Sequence, residues 1–117
     1  GMLKSKKPLV VAAVVLSGVL AFLSYSRNSV WESKLSLWQD AVEKSPNKSR
    51  PNNNLGNSHF LNGQYGLALQ YYIKATELDP QNAEAFYNVG MVYKIFGREE
   101  LARKYYNLYV EKMNERQ

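Results

Sequence analysis

Few side chains in this sequence could do chemistry. Its 117 residues include one histidine, His59, and no cysteine, which removes thiol nucleophiles, disulfide frameworks and the usual His/Cys zinc sites. Glu99 and Glu100 form an adjacent acidic pair, but they open a helical stretch, where carboxylates stabilise the positive end of the helix dipole. His59 lies on the apolar face of a helical pattern and reads as a packed, hydrogen-bonded core histidine. The sequence contains no phosphate-cradling glycine loop, nucleophile elbow or paired-carboxylate constellation. The chain therefore reads as a non-enzyme, with no cofactor and no metal.

The net charge of +5 is unevenly placed. Residues 1–28 carry Lys4, Lys6, Lys7 and Arg27 and no acid, so four of the five net charges flank one apolar segment. The rest of the chain is nearly neutral, which argues against a phosphate-binding face and hence against nucleic acid.

Gly1 ahead of Met2 reads as a residue left by tag removal. Leu9 to Tyr25 runs LVVAAVVLSGVLAFLSY without a charge. As a helix, this run and its neighbours span roughly 26 to 30 Å, enough to cross a bilayer. Lysines precede it and only Arg27 follows closely, so the distribution of positive charge puts the later residues outside the cytoplasm. Three readings fit the segment: a membrane span, a cleaved secretory signal, or a helix buried by its own domain or by another copy of the chain. The first places the protein in the membrane with an extracytoplasmic C-terminal domain. The last makes the apolar helix a route to a homo-oligomer.

The strongest signal appears when the chain is slid against itself by 34 residues. Asn54 then meets Asn88, Gly56 meets Gly90, Gly63 meets Gly97, Ala68 meets Ala102, Tyr72 meets Tyr106 and Pro46 meets Pro80. A fixed period of this length marks a stack of like supersecondary units. Within each unit an apolar helical face runs to a glycine stop, and a second face follows up to the next proline. Two antiparallel helices per unit are implied, with Gly56, Ala68 and Ala75 leaving room for aromatic rings opposite. Pro80 cannot continue a helix and Asn82 can cap the next one. In the second full unit the pattern predicts helices near Ala83 to Phe96 and Glu99 to Met113. Ahead of the first unit, Trp38 and Ala41 fit the Tyr72 and Ala75 positions, so residues 30–46 form a half unit made of a second helix only.

This pattern resembles the tetratricopeptide repeat, a 34-residue helix-turn-helix. The motif positions are filled by Leu55, Gly56, Tyr65, Ala68, Tyr72, Ala75 and Pro80, then by Phe86, Val89, Gly90, Tyr93, Ala102 and Tyr106. The resemblance implies an all-α, right-handed helical-hairpin solenoid of about two and a half repeats, preceded by the apolar N-terminal helix. The domains are then residues 1–28, carrying the basic flank and apolar helix, and residues 29–117, the repeat domain, with a half repeat at 30–46 and full repeats at 49–82 and 83–113. Asn52, His59 and Tyr109 depart from the pattern. More narrowly, the stretch from Asn28 to Asn57 after an apolar helix is similar to the junction of the last span and the repeats in polytopic glycosyltransferase-like membrane proteins.

In such arrays the first helices line a concave groove that holds a protein or peptide segment. Carried onto this sequence, the groove positions are Asn53, Asn54, Asn57, Phe60 and Leu61, then Glu84, Tyr87, Asn88, Met91, Lys94 and Ile95. Asparagines offer a donor and an acceptor each, which suits peptide backbone. The carboxylate clamp of chaperone-binding relatives is not expected, because Asn53 and Glu84 stand where it needs lysines. The partners implied are a polypeptide in the groove and the membrane through residues 9–25.

Overall fold

The computed structural model describes residues 32–117. The apolar helix expected over 9–25, with its membrane or signal role, lies outside the described residues. Among the described residues no helix is long and apolar enough to cross a membrane.

The described residues form five helices: α1, residues 32–44; α2, Ser49–Leu61; α3, Tyr65–Leu78; α4, Ala83–Ile95; and α5, Glu99–Glu115. Successive helices pack pairwise, α2 on α3, α3 on α4 and α4 on α5, which is the nearest-neighbour architecture of a helical solenoid. Lys34–Gln117 is one compact unit by its internal contacts. The helices expected near Ala83 to Phe96 and Glu99 to Met113 differ from α4 and α5 only at their C-terminal ends, where boundaries carry least information.

The hairpin turns explain two of the paired glycines. Gly63 and Gly97 have φ of 78° and 75°, in the left-handed region that side-chain-bearing residues avoid. Around Gly63 its own N–H donates to Phe60 O at 2.9 Å and Gln64 N–H donates to His59 O at 2.9 Å. One unit later Gly97 donates to Lys94 O and Arg98 to Tyr93 O. Both turns are Schellman motifs, which use glycine to satisfy the last carbonyls of the first helix.

Between units the punctuation is different. Asp79 is extended, as a residue before proline must be, and its Oδ1 accepts from Gln81 N–H at 2.9 Å. Asn82 caps α4 by accepting from Ala85 N–H, as expected. At the start of α2, Pro51 occupies the first turn, where a backbone N–H would have no helical partner. Asn52 takes the place of a large apolar residue because its Nδ2 ties the preceding turn, donating to Lys48 O at 2.8 Å and Pro46 O at 3.1 Å. Its Oδ1 is buried without a partner among the described residues.

The core is small residues against rings. Leu55, Ala68, Tyr72, Ala75, Val89 and Val92 are fully buried, and Phe60, Tyr65, Leu69 and Tyr93 pack around them. A Cβ on Gly56 would lie 2.7 Å from the Tyr72 ring and 3.2 Å from Ala68 O, and one on Gly90 would lie 2.8 Å from the Tyr106 ring and 3.2 Å from Ala102 O. The matching surroundings of the two glycines confirm the 34-residue register atom by atom. Alanine would gain about 1 kcal/mol of helix propensity at either site, but the overlap outweighs it where the ring cannot move. Gly56→Ala should therefore destabilise by about 1 to 3 kcal/mol. Gly90→Ala should cost less, because Tyr106 is only half-buried; urea unfolding of the two variants checks the order.

Candidate binding groove

The two first helices, α2 and α4, are joined by amides. Asn88 Nδ2 donates to Asn53 Oδ1 at 3.0 Å and reaches Asn57 Oδ1 at 3.5 Å. The Tyr72 hydroxyl donates to that same Asn57 oxygen at 2.6 Å. Three expected groove residues and one core tyrosine thus form a single hydrogen-bonded cluster. Asn53 and Asn88 are only 2% and 6% exposed, because a buried amide that finds another amide avoids the cost of an unmet donor or acceptor.

The surface left open is more apolar than the sequence suggested. Leu61 and Ile95, one repeat apart, are exposed at the ends of α2 and α4. Tyr87 is 44% exposed, Met91 is half-buried, and Lys94 and Glu84 face water. Asn54 and Asn57 are half-buried. Phe60 is partly drawn into the hairpin, its ring 5.0 Å from that of Tyr65. Leu61, Tyr87, Met91, Lys94 and Ile95 therefore remain available to a ligand, over a floor of mutually satisfied amides.

Chemistry at His59 is answered by its surroundings. Its Nδ1 pairs with Gln64 Oε1 at 2.9 Å, and its ring stacks on Tyr71 at 5.5 Å. Gln64 has no periodic signature, and only its position just after the glycine turn could have suggested it. Among the described residues no cluster of His, Cys, Asp or Glu could hold a metal ion.

Burial pushes the Tyr72 hydroxyl well above the ordinary phenol range, and the negative charge of Glu84 adds to the effect. Burial also raises Tyr105 and Tyr106, with Glu77 and Glu99 among the lesser causes. Tyr72 is thus held as a neutral donor to Asn57.

Other contacts were invisible to pattern reading. Ser49 Oγ donates to Ala75 O and accepts from Asn82 Nδ2, tying the start of α2 to the end of α3. One repeat later Arg116 Nη2 donates to Gln81 O and closes the second hairpin in the same place. A cleft of about 250 Å³ lies beside it, lined by Glu84, Tyr87, Tyr109, Met113 and Arg116.

Residues 56–94 match a family model described as TPR repeat, and residues 83–111 one described as tetratricopeptide repeat. The chain belongs to the tetratricopeptide repeat family. It is 31% identical over 107 residues, 92% of its length, to protein O-mannosyl-transferase TMTC3 of Mus musculus. That alignment takes in most of residues 1–31 as well as the repeats. The chain spans 11% of that relative's length. Among solved structures, the TPR2B-domain:pHsp70-complex of yeast Sti1 matches 79% of this chain and 74% of that one, with a TM-score of 0.71 and 17% identity. The second TPR of Spaghetti (RPAP3) bound to HSP90 peptide SRMEEVD covers 74% and 81%, with a TM-score of 0.66 and 14% identity. These tetratricopeptide structures share the fold of the described helices.

Two consequences of the amide cluster can be measured. Asn88→Leu strands the buried Asn53 oxygen and should cost about 1 to 3 kcal/mol in thermal or urea unfolding. A folded-state phenol pKa raised above the unfolded value contributes stability that is complete below the unfolded value and lost as pH rises through the folded one. Stability should therefore fall above about pH 10, and Tyr72→Phe should flatten that alkaline decline when unfolding is followed across it.

Proposed function

We propose that this chain is a membrane-tethered protein-interaction module, extracytoplasmic in its repeat domain, that holds a polypeptide segment along α2 and α4. The observation that carries this reading is the exposure of Leu61, Tyr87, Lys94 and Ile95, with Met91 half-buried, on two first helices joined by the Asn88 amide. The asparagines Asn53 and Asn88 serve as the fixed floor. Asn54, Asn57 and Phe60 line the edges.

The partner's chemistry follows from those residues. The HSP90 peptide SRMEEVD held by the Spaghetti (RPAP3) repeat is acidic, and an anion needs charge-assisted donors. Here Asn53 is buried and Glu84 is itself a carboxylate. A segment with apolar side chains at alternate or helical spacing suits Leu61, Tyr87 and Ile95 better. The module itself is proposed to be non-catalytic, acting through this surface alone.

A second reading is favoured by one observation. The likeness to protein O-mannosyl-transferase TMTC3 runs through the apolar N-terminal residues into the repeats. In that reading the module is the accessory recognition region of a polytopic membrane glycosyltransferase, presenting acceptor polypeptides to chemistry done elsewhere. The encoded sequence upstream of Met2 separates the two: several further spans support the transferase tail, and a start codon at Met2 supports the stand-alone adaptor.

A photoreactive residue at Tyr87, activated in native membranes, should crosslink a specific protein. Pairing it with Leu61→Asp and Ile95→Asp should abolish that capture while leaving the unfolding temperature nearly unchanged, as exposed substitutions do. Capture that survives both charges would place the partner elsewhere and defeat the groove reading.

A further inference from the structure

The turn between α2 and α3 carries a reactive pair that the equivalent turn between α4 and α5 lacks. Asn62 is followed by Gly63, and no other asparagine in the sequence precedes a glycine. In the second hairpin Phe96 stands before Gly97. Glycine has no side chain to shield its backbone nitrogen and rotates freely about its backbone bonds, so that nitrogen can attack the carboxamide of a preceding asparagine. The attack joins Gly63 N to Asn62 Cγ, breaks the Cγ–Nδ2 bond and closes a five-membered succinimide. The proton lost from Gly63 N balances the one gained by the departing ammonia. Water then opens the ring, at the former main-chain carbonyl to leave isoaspartate or at Cγ to leave aspartate.

Asn62 and Gly63 are both exposed, and a Cβ placed on Gly63 would meet no atom within 4 Å, so no neighbour bars the ring. The turn itself does. Ring closure needs Asn62 Cβ and Gly63 N on the same side of the Cα–C bond, and at the observed ψ of 6° it is Asn62's own nitrogen that eclipses Gly63 N. Gly63 N–H is also committed to Phe60 O at 2.9 Å, and Gln64 N–H to His59 O at 2.9 Å. Rotating Asn62 far enough to close the ring pulls both donors off their carbonyls. The bond between His59 Nδ1 and Gln64 Oε1 at 2.9 Å is a third tie across the same turn.

We propose that Asn62 is a deamidation site gated by the fold: the Schellman turn protects it, each opening of the turn exposes it, and the isoaspartyl product keeps the turn from closing as before. Isoaspartate routes the main chain through Cγ and adds a methylene ahead of Gly63, so Gly63 and Gln64 no longer reach Phe60 and His59 together. Its carboxylate sits at the negative end of the α2 dipole, where it is unfavourable, and beside the exposed Leu61. The first hairpin therefore ages by a route closed to the second, and the product is a cumulative record of its openings. None of this depends on what the groove holds.

The test incubates the full chain at mildly alkaline pH in native buffer and in guanidinium chloride, and follows Asn62 by fragmentation mass spectrometry that separates isoaspartate from aspartate. Conversion should be at least roughly tenfold slower in native buffer, because the rate there tracks the open fraction of the turn. Gln64→Ala removes the tie to His59 without touching the Asn-Gly pair, and should quicken conversion in native buffer alone. The isoaspartyl form, isolated by ion exchange, should unfold at a lower temperature than the parent chain. Absence of conversion in guanidinium chloride, equal rates in the two conditions, indifference of the native rate to Gln64→Ala, or an isoaspartyl form as stable as the parent would each overturn the proposal.

Discussion

Everything in the array depends on the contact between a helical glycine and a tyrosine ring across each hairpin. With no side chain at Gly56, the Tyr72 ring lies directly against the α2 backbone, and its hydroxyl emerges on the far side at Asn57. One residue therefore fills the hairpin interior and helps to hold the joint to the next unit. In the second hairpin Gly90 and Tyr106 repeat the first half of this arrangement. The second half is missing, because Met91 stands where Asn57 would accept the hydroxyl bond. The repeats are equal in backbone and unequal in what they offer outward.

The polar joint between units sits oddly beside the usual picture of a core closed by apolar residues alone. Amide pairs are directional, and a row of apolar contacts is not. Val89 and Val92 supply apolar burial against Ala68 and Tyr72, while Asn88 with its two acceptors specifies how far α4 slides along α2. The groove inherits its shape from this division of labour, since the exposed positions are spaced by whichever register the amides select.

Much of this was legible in the sequence, for an identifiable reason. The 34-residue spacing of glycines, alanines and tyrosines reports steric constraints, and sterics admit one solution at a close helix crossing or a left-handed turn. So the hairpins, the Schellman glycines and the Asn82 cap follow from residue type and position. The asparagines are a different case. A carboxamide has two donors and an acceptor with two lone pairs, and periodicity places it on a face without choosing its partner. Asn53 and Asn88 were expected to face a ligand, and they face each other. Gln64 on His59 and Arg116 on Gln81 were hidden for the same reason, since both bonds depend on side-chain reach rather than on period.

The pairwise packing of α2 through α5 also bears on how the molecule comes into being. The extensive packing among α2 to α5 is between helices adjacent in sequence, with the Asn88 bonds to α2 added across one helix, so no loop longer than a single turn must close before a stabilising contact forms, and topologies of low contact order collapse quickly. During synthesis the first hairpin can assemble while the second is still inside the ribosome, and each completed unit then templates its successor. The apolar interior of α2 to α5 is covered as each helix arrives, while Leu61, Tyr87 and Ile95 stay open.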